Sequence, residues 1–266
     1  MLVTVQQILG LLQTLAPSEL ACSWDNVGLL VDVGVPVSHV LTTLDITAAV
    51  VQEAVENDCQ LIVSHHPVIF DPLKHISAGD VPALLIKNNI SAICMHTNLD
   101  AAPGGVNDTL ADLLGMQREG RCNFAEDCGR IGPVEPTTVQ QLARFCADTL
   151  HSGVRYVDCG RPITCLAEVS GAGGRYLQEA IDAGADCLVT GEAAHHIALL
   201  AKQKGVGLVV SGHWGTEHGI ADVLAAHIAS NFPALTVRHA AADRDPYSYL
   251  FLKANPCLLM LRPWPW

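Results

Sequence analysis

The sequence has no run of about 18 consecutive apolar residues, which excludes an ordinary membrane-spanning helix. It has no Lys/Arg cluster, and its formal net charge is -12. Gripping nucleic-acid phosphates takes a basic face, so nucleic acid is disfavoured as a partner. No C-x2-C pair occurs among the ten cysteines, which removes zinc-ribbon and thioredoxin-type readings. The cysteines are scattered, mostly in apolar strand-like runs such as Ala92-Ile93-Cys94-Met95, and read as buried free thiols in a reducing cytoplasm. There is no P-loop and no G-x-G-x-x-G. The opening MLVTVQQILGLLQTLAP lacks a basic leader and a small-residue cleavage site, so it is expected to be an amphipathic helix and not a signal peptide.

What remains is a chain of 266 residues, half of them hydrophobic and only 16% charged, enough for a sizeable core. Hydrophobic periodicity predicts a helix over 4–15 ended by Pro17, then the turn Trp24-Asp25-Asn26 entering a strand. Asp25 and Asn26 read as turn chemistry. A strand over 40–45 ends in Asp45; a helix over 47–57, a strand over 61–64, a helix near 81–88 and a strand over 90–95 follow. This is a β-α-β-α-β run with polar residues at strand C-termini, where open α/β sheets hold ligands. A helix is expected over 107–114, then a Gly- and Pro-rich connection over 116–136 with one short strand. A helix capped at Thr137/Thr138 reaches Leu150, and strands are expected over 154–158 and 164–170.

The stretch Leu61-Ile62-Val63-Ser64-His65-His66-Pro67 carries the chemistry. Neighbours on a strand point to opposite faces. The two imidazoles therefore serve one metal if the backbone turns, or one metal each; the bland alternative buries one ring and solvates the other. A shift of 126 residues superposes Gln52-Glu53-Ala54 on Gln178-Glu179-Ala180 and Leu61–Ser64 on Cys187–Thr190. His65-His66 then falls on Gly191-Glu192. After the next strand of each unit comes His-x3-acid: His96 to Asp100, and His213 to Glu217. Two similar β-α-β units without common origin would look alike too; either way both halves offer a His and a carboxylate at strand ends.

His65, His66, His96, Asp100, His195, His196, His213 and Glu217 form a nitrogen and oxygen donor set without thiolate. It suits Zn, Mn, Fe, Co or Ni and fits Ca poorly. The set exceeds what one tetrahedral zinc needs, and two metals about 3.5–4 Å apart would use it. His96 also reads as a core histidine bonded to Asp100, and His195-His196 as a helix start. His75, His151, His218, His227 and His239 have no partners by spacing.

Taken in order, Trp24-Asp25-Asn26-Val27-Gly28-Leu29, Ser64-His65-His66-Pro67, His96-Thr97-Asn98-Leu99-Asp100, Gly104-Gly105-Val106-Asn107, Gly129-Arg130-Ile131-Gly132, Gly191-Glu192-Ala193-Ala194-His195-His196, Gly212-His213-x3-Glu217 and Asp245-Pro246-Tyr247-Ser248-Tyr249-Leu250 resemble the NIF3-like (YbgI-type, dinuclear metal centre) family, the GTP cyclohydrolase 1 type 2 homologues. The resemblance implies two related α/β lobes with the metal site between them at strand C-termini: residues 1–125, with part of the C-terminal segment packed on them, and 126–250. It implies two divalent ions per chain held by His65, His66, Asp100, His213 and a bridging Glu217, with His96 close by. It also implies a toroidal homohexamer with metals facing an inner cavity. This chain is of the short kind, without a long insertion. Gly171-Ala172-Gly173-Gly174 departs slightly from the family pattern, and the apolar tail 251–266 extends beyond its usual end; one reading of that tail is an interface cover.

The expected protein is a cytoplasmic dinuclear-metal hydrolase, with a nucleotide such as GTP attacked at the purine ring and His96 and His196 as candidate proton donors. A metal-storage, delivery or regulatory protein without turnover is the rival reading, and a phosphoesterase or peptidase-like enzyme a third.

Overall fold

A computed structural model describes residues 3–249; the apolar tail lies outside them. In chain order the elements are α1 (Val5–Leu15), β1 (Gly28–Val31), β2 (His39–Thr43), α2 (Ala48–Glu56), β3 (Leu61–Ser64), α3 (Val81–Lys87), β4 (Ser91–Cys94), α4 (Thr97–Ala101) and α5 (Val106–Leu113). A hairpin of β5 (Cys122–Phe124) and β6 (Gly129–Thr137) follows, then α6 (Val139–Leu150), β7 (Arg155–Val157), β8 (Ile163–Val169), α7 (Leu177–Asp182) and β9 (Cys187–Thr190). The last elements are α8 (His195–Lys204), β10 (Gly207–Val210), α9 (His213–Glu217), α10 (Ile220–Asn231) and β11 (Thr236–His239). Among the described residues no helix is long and apolar enough to cross a membrane. No cysteine among them is in a disulfide, but Cys122 is exposed, against the expectation of burial.

Two mixed sheets result. The first has the order β1-β4-β3-β2-β11, with only β1 antiparallel to its neighbour. The second runs β5-β6-β8-β9-β10-β7; its centre β8-β9-β10 is parallel, flanked by antiparallel strands. Every residue of β3 and of β9 is buried, because helices cover both faces of each sheet. On one face of the first sheet Leu61, Val63 and Ile93 pack against Ile8 and Leu12 of α1 and Leu224 and Ile228 of α10. On the other, Leu41 and Ile62 meet Val50 and Val51 of α2 and Leu85 of α3. The second sheet is sandwiched in the same way by α5 and α6 and by α7 and α8.

The halves exchange helices. Leu110 and Ala111 of α5 belong to the second core, and α10 with β11 returns to the first. The lobes are thereby tied by two crossings of the chain, which fixes whatever lies between them.

The expected single short strand in 116–136 is instead a hairpin whose longer strand has nine residues. Gly129, Gly132 and Pro133 resemble loop signals, but the glycines serve packing. A Cβ on Gly129 would lie 2.6 Å from Phe124 and 2.8 Å from Val169, and one on Gly132 3.1 Å from the Arg121 backbone.

The 126-residue shift reappears as sheet register. Thr43, Ser64 and Cys94 align across the first sheet, and Val169, Thr190 and Val210 across the second. Thr43 and Ser64 plus 126 are Val169 and Thr190, so both sheets end their parallel strands at equivalent positions.

Those ends are braced by a carboxylate from the C-terminal segment. The Asp243 side chain, itself nearly inaccessible, accepts from Leu44 N at 2.6 Å, Trp214 Nε1 at 3.0 Å and His239 Nε2 at 2.9 Å, and Asp222 takes His239 Nδ1 at 3.1 Å. His239 is therefore partnered, contrary to its reading from spacing, and the His218 ring stacks on Trp214 at 3.8 Å. Burial raises the Asp243 carboxyl, but the bonds from His239, Leu44 and Trp214 outweigh it and hold it below its ordinary 3.8. A carboxylate lowered on folding stabilises above its unfolded pKa and loses that stabilisation as pH falls through the folded value. Asp243→Asn is expected to lower the melting temperature at pH 7 and to flatten its fall on acidification below pH 3.8. Parallel melts of the two proteins across that range check it.

Candidate metal centre

β3 delivers His65 and His66 to the cleft. Their amides stay on the sheet ladder, His65 N to Thr43 O at 3.2 Å and His66 N to Leu44 O at 2.9 Å. Beyond Ser64 the chain bends, and the two rings arrive on the same side with centroids 5.0 Å apart. The strand-neighbour rule of opposite faces ends where the strand does.

From the second lobe, α9 supplies His213 and Glu217. His-x3-Glu on one helical turn places both side chains on one face, and His213 Nε2 lies 3.0 Å from Glu217 Oε2. That same oxygen is 3.1 Å from His66 Nε2 and 4.0 Å from His65 Nε2. Asp100, on α4, directs Oδ1 to 3.6 Å from His65 Nε2. His96 begins α4, with its ring centroid 5.2 Å from that of His65 and 5.6 Å from that of His66. The donor atoms fall into two groups that share His66: His65, His66 and His96, and His66, His213 and Glu217. His196 joins neither group; it lies exposed on the first turn of α8, as does His195.

Each imidazole is turned by an oxygen on its Nδ1. The partners are Met95 O for His65 at 2.8 Å, Asp45 Oδ1 for His66 at 2.8 Å, Asp25 Oδ1 for His96 at 2.8 Å and Glu192 Oε1 for His213 at 3.0 Å. Carbonyl and carboxylate oxygens only accept, so Nδ1 carries a hydrogen and Nε2 is the atom turned inward, offering its lone pair when the ring is neutral. This is how metal-binding histidines are usually oriented.

Four inward Nε2 atoms surround two carboxylates. His65 Nε2, Asp100 Oδ1 and Glu217 Oε2 are buried without a hydrogen-bond partner, a costly state unless a cation satisfies them. The titration behaviour of the bare cluster has the same cause. Burial holds His65 down to about 3. Burial also opposes charge on His66, but Asp45 and Glu217 raise it to about 10, and Glu217 and Glu192 raise His213 to about 9 against burial. Burial and the Glu217 charge push Asp100 well above the carboxylate range. Burial raises Glu217 too, yet the His213 and His66 contacts outweigh it and the carboxyl is lowered. The donor set fits divalent transition metals.

Several residues quoted only as motif turn out to brace this cluster. Asp25, read as turn chemistry, binds His96 and also accepts from Thr97 N at 3.0 Å and Thr97 Oγ1 at 2.5 Å. The His96 partner is therefore Asp25 and not Asp100. Burial raises Asp25, but the His96 and Thr97 bonds hold it far below the usual range. Buried Asn107 donates to Asp100 O at 3.1 Å and accepts from Ser170 N at 2.9 Å, joining the Asp100 helix to the second lobe. Buried Arg130 pairs with Asp108 at 2.7 Å and reaches the carbonyls of Ala101 and Ala102 at the end of α4. Asp45 and Glu192 were visible in sequence as an acid at a strand end and as the counterpart of His66. Only the fold shows that they orient imidazoles.

Asp25→Asn is expected to weaken metal binding about 10- to 100-fold, the usual effect of losing a partner behind a ligand. Competition with a calibrated chelator measures it.

A cavity of about 990 Å³ opens on the second-lobe side of the cluster, lined by His66, His213, Trp214, Glu192, His196 and Tyr247 among others. On the other side, Trp24 and Phe70 present ring edges to His96, with centroids 6.3 and 6.4 Å away.

The geometry now meets what is known of other proteins. A GTP cyclohydrolase 1 type 2 homolog of Clostridium acetobutylicum is 30% identical over 229 residues, covering 80% of this chain and 85% of that protein. The Protein NIF3 homolog of Schizosaccharomyces pombe is 34% identical over 241 residues, with the same coverage of 80% and 85%. The crystal structure of Staphylococcus aureus hypothetical protein SA1388 superposes with a TM-score of 0.86 at 29% identity, covering 94% of this chain and all of that one. The profile of the Duf34/NIF3 (NGG1p interacting factor 3) family matches residues 3–246, a span that contains every residue of the cluster. With the fold, the inter-lobe histidine cluster and the family profile in agreement, the chain belongs to the Duf34/NIF3 family.

Proposed function

We propose that the protein is a dinuclear-metal-dependent hydrolase, with two divalent ions held by His65, His66, Asp100, His213 and Glu217 and with Glu217 shared between them. The observation that carries this reading is the convergence of orphaned, lone-pair-bearing atoms from both lobes beside a substrate-sized cavity. A storage site would be served by a closed shell; here His66 and His213 both line open space. Bound divalent ions supply Lewis acidity and acidify coordinated water.

The chain's own part is orientation and proton handling. Asp45, Glu192, Asp25 and Met95 O fix the four Nε2 atoms toward the cleft. His96, with Nδ1 committed to Asp25, offers Nε2 as a base or a further ligand. His196 lines the cavity without belonging to the cluster and is the proton donor of this reading. The substrate class is a nucleotide opened at the purine ring, in keeping with the names of the bacterial relatives. Assembly as a toroidal homohexamer in the cytoplasm belongs to the same reading and is checked by sedimentation.

The test is metal analysis of anaerobically purified protein, followed by turnover assays with GTP, phosphoesters and peptides before and after chelation. About two metals per chain and GTP turnover lost on chelation are expected. GTP turnover that survives complete metal removal would sink the hydrolase reading. Full metal occupancy with no turnover of any class would favour storage or regulation.

A further inference from the structure

The cavity beside the cluster holds two arginines that the reading above does not use. Arg155 lies on edge strand β7, paired with Val210 at the end of β10, three residues before His213. Arg175 follows Gly174, whose N–H donates to Glu192 O at 3.0 Å, and Glu192 is the residue that turns His213. Both arginines line the cavity that His213 also lines. Three carboxylates line the same space, and all are engaged. Asp45 binds His66, Glu192 binds His213, and Asp245 accepts from Tyr247 N at 2.9 Å and Tyr249 Oη at 2.7 Å.

The arginines are not similarly paired. Among the described residues neither has a carboxylate within salt-bridge distance, a state shared with Arg144, Arg238 and Arg244, whereas Arg118, Arg121, Arg130 and Arg161 are paired. Arg175 donates to the neutral Tyr176 phenol at 2.7 Å and lies over its ring, which holds the guanidinium in place without neutralising it. Glu126 favours the Arg175 charge from a distance, but two guanidinium groups without a direct carboxylate partner face one cavity and suit an anion. A single planar carboxylate is satisfied by one guanidinium fork. A tetrahedral polyanion presents oxygens in several directions and can be gripped by both.

We propose that Arg155 and Arg175 form a phosphate subsite, which binds the phosphate chain of the substrate while its reacting portion lies against His66 and His213. This rests on the hydrolase reading for the identity of the site, but not for the anion binding itself.

Isothermal titration of manganese-loaded protein with tripolyphosphate tests it. Arg155→Gln and Arg175→Gln are each expected to weaken binding about tenfold or more, the scale of a lost charge-assisted bond, at unchanged metal content. Arg155→Lys and Arg175→Lys keep the charge and should recover part of the affinity, which separates anion binding from a folding role. Acetate at equal concentration is expected not to compete. Affinity for tripolyphosphate within twofold of wild type in the double glutamine variant overturns the subsite, and competition by acetate overturns the phosphate assignment. Metal content is measured on the same samples. Its absence from wild type would count against the hydrolase reading, while the comparison of tripolyphosphate affinities would still decide the arginines.

Discussion

Glu217→Gln is expected to empty the metal centre and leave the protein folded. Metal affinity should fall at least about 100-fold, beyond the range typical of an orienting residue behind a ligand. Glu217 Oε2 lies within 3.0, 3.1 and 4.0 Å of three imidazole nitrogens from both lobes, so its charge serves the whole cluster at once. Glutamine keeps the shape and removes that charge. In the metal-free protein that charge also raises His66 and His213, to about 10 and about 9, so both rings are protonated at pH 7 and the variant loses two charge-assisted contacts. The melting temperature of the metal-free protein should therefore fall modestly at pH 7 while metal content collapses. His65→Ala is the less clean companion, because His65 is fully buried and truncation also opens a cavity. Elemental analysis after dialysis, alongside metal-free melts, reads both quantities. Full metal content in Glu217→Gln would remove Glu217 from the centre.

Much of the frame that carries Glu217 is legible in the sequence, and the reason is locality. β3 occupies 61–64 as its apolar run and following proline require. Thr138 caps α6 through a reciprocal bond with Gln141, a signal contained within four residues. His213 and Glu217 meet because three intervening residues make one helical turn. Each of these depends on neighbours along the chain.

What was illegible depends on residues far apart in sequence. Asp25 and His96 are separated by 71 positions and His66 and Asp45 by 21. Nothing in Trp24-Asp25-Asn26 distinguishes a turn aspartate from one that orients a distant histidine at the start of α4. His239 looked solitary because Asp222 and Asp243 come to it through the return of α10 and β11 to the first sheet. The divergence of the repeat has the same character. Under the 126-residue shift His65 falls on Gly191. A Cβ there would lie 2.6 Å from Gly171 O and 2.8 Å from the His213 Cα. The second lobe has no room for a side chain at that position, because its own α9 already crosses it with His213. The first lobe fills the cleft from its central strand and from α4, and the second from α9.

Gly171 is where that crowding becomes testable. It follows β8 in a glycine-rich stretch, at φ +54, and a Cβ on it would lie 2.1 Å from Glu217 Oε1, 3.0 Å from His213 Nε2 and 3.1 Å from Glu217 Cδ. The loop cannot easily retreat. Gly171 N donates to Thr216 Oγ1 at 3.0 Å, and its carbonyl accepts from Glu192 N at 2.8 Å and Thr190 Oγ1 at 3.3 Å. Gly171→Ala removes no ligand, yet the added methyl takes the place of the Glu217 carboxylate. We expect metal affinity to drop at least about tenfold, approaching the loss of a ligand's orienting partner. Stability should fall by roughly 1–3 kcal/mol through left-handed strain and the displaced buried carboxylate. Gly160→Ala is the control, since Gly160 also has positive φ, +71, but no atom lies within 4 Å of its Cβ position. It should cost about 1 kcal/mol of backbone strain and leave metal binding untouched. Urea unfolding and chelator competition on the two variants separate strain from crowding. Equal metal affinity in both would show that Glu217 does not need the space Gly171 leaves.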